Sequence, residues 1–233
     1  MILYYITDLT QFPGSDAERR RALLAKIAEA GRTGIDFIQL RERDLSAREL
    51  EQLATATMET LRLAPATRLL INSRIDVALA VGAHGVHLRA DDITAAEARG
   101  IWLRAKTTKP VIAVSCHSVE EVALAEAHGA DFAVLGPIFE KAAGSTVPVG
   151  VDVLRAATHR AAGAAEIMPV LALGGVTLSN AAECIAAGAM GIAGIRIFQA
   201  GDLKDMKNTV AKLHALARPA LAAGKAKHPY WPV

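Results

Sequence analysis

Gln39, Arg41 and Arg43 alternate along the chain. In an extended segment residues two apart project to one side, so the two guanidiniums stand together and repel each other unless an anion joins them. Arg forks bind phosphate or pyrophosphate oxygens in pairs; a structural pairing of Arg41 with the neighbouring Glu42 or an Asp is the alternative. Asn72 and Ser73 come next, then Asp91-Asp92. A carboxylate beside phosphate oxygens suits Mg2+, which keeps several waters and takes one or two carboxylates. A helix N-terminus would also favour such an acidic pair, which accounts better for Asp91 and leaves Asp92 as the ligand candidate. Ser115 and His117 precede a helix-capping Ser118, and imidazole is the side chain suited to proton transfer near neutral pH. Gly174-Gly175 follows the apolar run Val170-Leu-Ala-Leu; backbone without side chains lets N–H groups approach phosphate oxygens, although a tight turn needs the same residues. Glu140-Lys141 and Gly194-Ile195-Arg196 end two further apolar runs.

Those residues need elements to place them. Val-, Ile- and Leu-rich runs predict strands near 2–7, 35–41, 68–72, 84–88, 110–114, 131–136, 168–173 and 190–195. Helix starts are marked by four capping boxes, Ser15/Glu18, Ser46/Glu49, Thr94/Glu97 and Ser118/Glu121, in which hydroxyl and carboxylate each satisfy a free backbone donor. Apolar stripes follow at helical spacing, Leu24-Ile27-Ala28-Gly31 in the first helix and Leu50-Leu53-Ala54-Thr57-Leu61 in the second. Gly34, Gly82, Gly129 and Gly188 stand where a helix must stop before the next strand. Strands this uniformly apolar are covered on both faces, and eight of them alternating with helices predict a single α/β domain, a (β/α)8 TIM barrel, over 1–217, followed by an extended tail over 218–233. The chemistry of such a barrel collects at the C-terminal ends of its strands, where all the residues named above fall, and strands 7 and 8 frame the usual phosphate site. A ligand carrying phosphate is implied. Asp131 starts a strand and so faces the other end, in a structural role, while His87 is expected in the barrel wall.

Several classes of function are excluded by composition. Of 233 residues 26 are basic and 24 acidic, which leaves no excess to neutralise a run of phosphates, so no nucleic acid partner is expected. No apolar stretch reaches bilayer length and no basic leader precedes Ile2-Leu-Tyr-Tyr-Ile6, which points to a cytoplasmic protein without a membrane partner. Cys116 and Cys184 lack CxxC spacing and read as reduced, buried side chains. Tyr230-Trp231 in the tail would suit a homodimer contact.

Taken in order, Tyr5-Ile-Thr-Asp8, Phe37-Ile-Gln-Leu-Arg-Glu-Arg43, Leu70-Ile-Asn-Ser-Arg-Ile-Asp-Val-Ala-Leu79, Gly85-Val-His-Leu88, Val114-Ser-Cys-His117, Gly129-Ala-Asp-Phe132, Leu135-Gly-Pro-Ile-Phe139 and Ala172-Leu-Gly-Gly175 resemble the thiamin phosphate synthase and thiazole tautomerase (TenI-like) superfamily up to residue 200. The resemblance implies a transferase that joins hydroxymethylpyrimidine pyrophosphate to hydroxyethylthiazole phosphate and releases pyrophosphate with Mg2+. Position by position it implies that Gln39 holds the pyrimidine. Arg41, Arg43 and Asn72 hold the pyrophosphate, Asp92 the Mg2+, and Ser115 the leaving-group side. The Gly174-Gly175 turn holds the thiazole phosphate, with Ile195 and Arg196 opposite it.

Departures accompany the resemblance. A family lysine is Arg43, a Mg2+ carboxylate is the hydroxyl of Ser73, and a serine near the phosphate is Arg196. The hydroxyl-rich loop after strand 6 is Glu140-Lys-Ala-Ala-Gly144, with its lysine displaced to Lys141. The tautomerase branch, a proton shuttle on a thiazole carboxylate phosphate, resembles Ser115-Cys-His117-Ser118 and Phe139-Glu140, with His117 as the proton carrier. A non-catalytic thiamin-phosphate binding barrel is a third reading. Asp92 belongs to the synthase pattern, which is preferred.

Overall fold

The computed structural model describes residues 1–140, 147–159 and 168–222. All eight apolar runs form strands: β1 Ile2–Ile6, β2 Phe37–Leu40, β3 Arg68–Asn72, β4 Gly85–Leu88, β5 Val111–Cys116, β6 Phe132–Leu135, β7 Val170–Leu173 and β8 Gly191–Gly194. Each pairs in parallel with the next, and β8 returns to β1 through Ile2 opposite Gly191, closing the barrel. Parallel neighbours need a crossover helix, and the chain supplies α1 Asp16–Thr33, α2 Ala47–Leu61, α3 Ile75–Val81, α4 Ala95–Ala105, α5 Val119–Ala127, α6 Gly150–His159 and α7 Ala181–Ala186; the single turn α8 Arg196–Gln199 and α9 Leu203–Ala222 follow β8.

Period-two alternation divides the strand residues between two cores. Ile2, Tyr4, Ile6, Phe37, Leu70, Val111, Ala113, Phe132, Val134, Leu171 and Ala193 fill the barrel, while the residues between them pack outward under the helices. Burying one such Leu, Ile or Phe contributes about 1.5–3 kcal/mol, and a one-residue slip would turn a whole strand inside out, so the register is strongly specified.

The helix starts follow their sequence signals. Three capping boxes are complete, at Ser15/Glu18, Ser46/Glu49 and Thr94/Glu97. At the fourth, Ser118 accepts from the Glu121 amide, but the Glu121 carboxylate accepts from the backbone N–H of His117, 2.6 Å away, one residue earlier than a box requires. Gly34, Gly82, Gly129 and Gly188 all carry positive φ at helix ends.

Two expectations shift. The buried stripe of α1 is Leu23, Lys26, Ile27 and Ala30 rather than Leu24, Ala28 and Gly31, because the Lys26 ammonium reaches inward to the carbonyls of Gly201 and Asp202, each 2.8 Å away. The last helix runs to Ala222, so the tail expected from 218 begins inside it, and its remainder, with Tyr230 and Trp231, lies outside the described residues. Among the described residues no helix is long and apolar enough to cross a membrane. Cys116 and Cys184 are both buried and free.

Candidate active site

Tyr4 fills the middle of the barrel, fully buried, with its ring edge-on to Phe37 and Phe132. Its hydroxyl shares a 2.8 Å hydrogen bond with Nδ1 of His87, which stacks on it at a ring separation of 5.6 Å. Nε2 of His87 is 2.7 Å from the Ser115 hydroxyl, toward the mouth. Burial, with the Arg41 charge added, pushes the His87 pKa down to about 3, so the ring is neutral and has one donor and one acceptor nitrogen for its two hydroxyl partners. His87 thus orients Ser115 from below. It sits inside the barrel, not in the wall as expected; parity carries the signal, because Val86 and Leu88 must face the helices and Gly85 and His87 must then face in.

Gln39 is the next inward residue on β2 after Phe37 and is only 2% exposed. Its Nε2 donates to Oδ1 of Asn72 at 2.7 Å, while its own Oε1 is buried without a partner among the described residues. An unpaired buried acceptor costs about 1–3 kcal/mol, which a ligand N–H would recover. Strand β2 ends at Leu40: Arg41 follows it half-buried and Arg43 is exposed in a turn, so the three polar side chains are not all carried by one strand. Neither guanidinium makes a hydrogen bond or ion pair among the described residues; burial first, then the Arg43 charge, lowers the pKa of Arg41, against the nearby charges of Asp8 and Glu42. Glu42 does not neutralise them by contact. Its carboxylate accepts from the hydroxyl of Thr7 and the amide of Leu9, tying the loop after β2 to the loop after β1, and burial raises its pKa.

On the next two strands Ser73 and Asp92 come together. Ser73 holds φ at 56°, a left-handed conformation uncommon for residues other than glycine, and its hydroxyl donates to Asp92 Oδ2 at 2.6 Å. That oxygen also accepts from the Arg89 amide at 2.8 Å, and Oδ1 lies 3.5 Å from Arg89 Nε. Asp91 is more exposed and pairs with Arg89 Nη2 at 2.9 Å. Among the described residues no three His, Cys, Asp or Glu side chains cluster as a metal cage.

Across the mouth, Gly174 and Gly175 have φ of 90° and 65°. A Cβ on Gly175 would lie 2.7 Å from both the Glu140 carbonyl oxygen and Phe139 Cβ, because the chain leaving β6 crosses directly over this turn, with the Phe139 amide bonded to the Gly174 carbonyl at 3.0 Å. Ile195 caps α8, and its carbonyl takes the amides of Phe198 and Gln199, so the first amides of this turn, on Arg196 and Ile197, have no intrahelical acceptor. The exposed Arg196 side chain forms no ion pair among the described residues. Gln199 fastens α8 to β1: its Oε1 accepts from the Tyr5 hydroxyl at 2.8 Å and the Asp8 amide at 3.1 Å, and its Nε2 donates to the Asp8 carbonyl. His117 donates from Nδ1 to the Gly136 carbonyl at 2.6 Å, which leaves Nε2 as its free nitrogen. Lys141 lies outside the described residues. Asp131, at the opposite end, bonds the Ile112 amide and pairs with Arg99 and Lys109.

The mouth therefore has two guanidiniums without ion-pair partners among the described residues and the Asp91-Asp92 pair held by Arg89, a glycine turn at the end of β7, and the Gln39 acceptor without a partner among the described residues. The model of the TMP-TENI family, described as thiamine monophosphate synthase, matches residues 3–198. The chain belongs to that family. A putative thiamine-phosphate synthase from Geobacter sulfurreducens is 45% identical over 195 residues, covering 82% of this chain and 83% of its own, and a thiamine-phosphate synthase from Methanoculleus marisnigri is 41% identical over 193 residues, covering 82% and 84%. Among solved structures, the thiamine phosphate pyrophosphorylase from Pyrococcus furiosus superposes with a TM-score of 0.76 at 27% identity, covering 94% of this chain and 96% of its own.

Proposed function

We propose that this chain is a thiamin phosphate synthase, joining hydroxymethylpyrimidine pyrophosphate to hydroxyethylthiazole phosphate. The observation that carries the reading is the buried Gln39 Oε1, which has no partner among the described residues, at the same end of the barrel as the neighbouring Arg41 and Arg43 and the Gly174-Gly175 turn. Two phosphorylated substrates need two anion sites, and an aminopyrimidine supplies the N–H that Gln39 lacks.

In this reading the exocyclic amine donates to Gln39 Oε1, and Asn72 keeps the amide from turning away. The electron-rich ring expels pyrophosphate: the methylene C–O bond breaks, its electron pair leaves with the pyrophosphate, and the ring stabilises the resulting cation. Arg41 and Arg43 neutralise the leaving charge, the contribution that electrostatic stabilisation of such a step supplies. Ser115, held by His87, donates toward the leaving group. The thiazole nitrogen, placed by its phosphate at Gly174-Gly175, Ile195 and Arg196, then closes the new C–N bond with little need for a general base. Mg2+ when bound adds further charge on the pyrophosphate; Asp92 and Ser73 fit it as one carboxylate and one hydroxyl, a set that needs phosphate oxygens to complete it.

His117 Nε2 is free for the proton shuttle of the tautomerase alternative, but the arginine pair and Asp92 have no task in that reaction. The test is a product assay with both phosphorylated substrates, with and without divalent metal, set against turnover of a thiazole carboxylate phosphate. Thiamin phosphate formed in the first and nothing in the second is expected; the reverse establishes the tautomerase, and no turnover of either leaves a binding barrel.

A further inference from the structure

Arg89, at the end of β4, is held by two carboxylates of its own loop. Its Nη2 lies 2.9 Å from Asp91 Oδ2 and its Nε lies 3.5 Å from Asp92 Oδ1, while its backbone amide bonds the other oxygen of Asp92. With the Ser73 hydroxyl on that same oxygen, the polar partners of Asp92 among the described residues are all donors, and one of them carries a full positive charge. A divalent ion on Oδ1 at the usual distance of about 2.1 Å would stand within a few ångströms of the guanidinium and be repelled by it. Asp91 offsets part of the Arg89 charge, but the side chain that hydrogen-bonds Asp92 from the loop after β3 is the hydroxyl of Ser73, not a second carboxylate.

We propose that Arg89 is the resident counter-cation of Asp92 and a diphosphate-binding residue, so that it leaves Asp92 for the diphosphate and only then frees the carboxylate for metal. The inference rests on the reading that this mouth takes a diphosphate. Several features suit Arg89 to the exchange. Its side chain is 55% exposed and so free to swing, and Asp91, 74% exposed, tethers it near the mouth without burying it. An arginine fork meets phosphate oxygens in pairs. Arg41 and Arg43 supply positive field that is not engaged by carboxylates among the described residues, and Arg89 supplies a part whose position reports whether substrate is present.

The test uses Mn2+ alone, read by its free-ion electron paramagnetic resonance signal, and inorganic pyrophosphate alone in chelator, read by calorimetry, on the full chain and its variants. Arg89→Gln is expected to shift the two affinities in opposite directions, Mn2+ about tenfold tighter and pyrophosphate about tenfold weaker, the scale set by one charge at contact distance in partial solvent. Arg89→Lys is expected to keep both near the parent values. Adding Asp92→Asn to Arg89→Gln is expected to abolish the gain in Mn2+ affinity. Local unfolding would weaken both ligands together, so the opposed signs separate the proposed role from a structural one. Unchanged or weaker Mn2+ binding in Arg89→Gln, Mn2+ binding to neither protein, or unchanged pyrophosphate binding overturns the inference. If the parent makes thiamin phosphate but the variant shows no opposed shift, only the role of Arg89 falls. If the shift is found but no coupling product forms, the synthase reading falls and Arg89 remains an anion-sensing counter-ion.

Discussion

Two buried ionisable groups make opposite contributions to stability as the protein is acidified. His87 lies inside the barrel between Tyr4 and Ser115, and burial lowers its pKa to about 3. Asp36 precedes β2 with its carboxylate on the Leu3 amide at 2.7 Å, and burial pushes it up to about 6. Below about pH 6.5 the unfolded chain protonates its histidine while folded His87 stays neutral, so the unfolded state binds more protons and stability falls as pH falls toward 3. For Asp36 the sign reverses: between about pH 6 and 4 the folded carboxyl is protonated while the unfolded one is ionised, so stability rises as pH falls. From neutrality to about pH 4.5, His87 costs about 2.5 kcal/mol and Asp36 returns about 2 kcal/mol, which nearly cancel. Asp36→Asn keeps an acceptor for Leu3 and removes the titration. Its stability is expected to drop about 2 kcal/mol further than the parent's over that interval, and that of His87→Gln about 2.5 kcal/mol less. Urea unfolding at steps from neutral to about pH 4.5 measures both, and comparison with the parent at each pH cancels the surface carboxylates. Parallel stability curves for the parent and both variants would refute the burial argument.

Other substitutions test the mouth. Gly175→Ala forces a left-handed alanine whose Cβ meets the Glu140 carbonyl oxygen at 2.7 Å; a loss of about 2–4 kcal/mol on urea unfolding and weaker thiazole phosphate binding are expected, and a change under 1 kcal/mol would show that the crossing chain yields easily. Ser73→Asp places a second carboxylate beside Asp92 in a conformation that Asp tolerates better than most residues, and about tenfold tighter Mn2+ binding is expected by titration; unchanged affinity would show that Asp92 is not the cation ligand. In the coupling reaction Asp92→Asn is expected to cost about a hundredfold or more in rate and His117→Gln much less, as measured by steady-state kinetics; the opposite order would favour the tautomerase.

Much of this protein lies in local pattern. Strand runs, three complete capping boxes, and glycines at helix ends are short-range features whose physics acts within a few residues, and they sufficed for eight strands and the seven crossovers between them. Closing the barrel then placed Gln39, Arg41, Asn72, Asp92, Ser115, His117 and Gly174 at one mouth, since parallel strands end together. The resemblance lay in those same residues, and the family match covers the same span.

Partnership was decided elsewhere. Tyr4 and His87 are 83 positions apart and Tyr5 and Gln199 are 194, so no window of sequence holds both members. Glu42 adjoins Arg41 and Arg43 in the chain yet turns its carboxylate to Thr7 and Leu9, because the loop after β2 packs against the loop after β1. Lys26 joins the buried face of α1 by reaching carbonyls 175 and 176 positions away in the chain, just before the helix α9 that packs on it. Even Arg89, three residues from Asp92, became legible as its counter-ion only once the loop folded the guanidinium back onto the carboxylate. Sequence by itself determined which residue types arrive at the mouth, because that depends on period and strand direction. The tertiary structure decided which polar atoms are satisfied and which are left for a ligand, because that depends on contacts between loops whose positions are set only when the barrel closes.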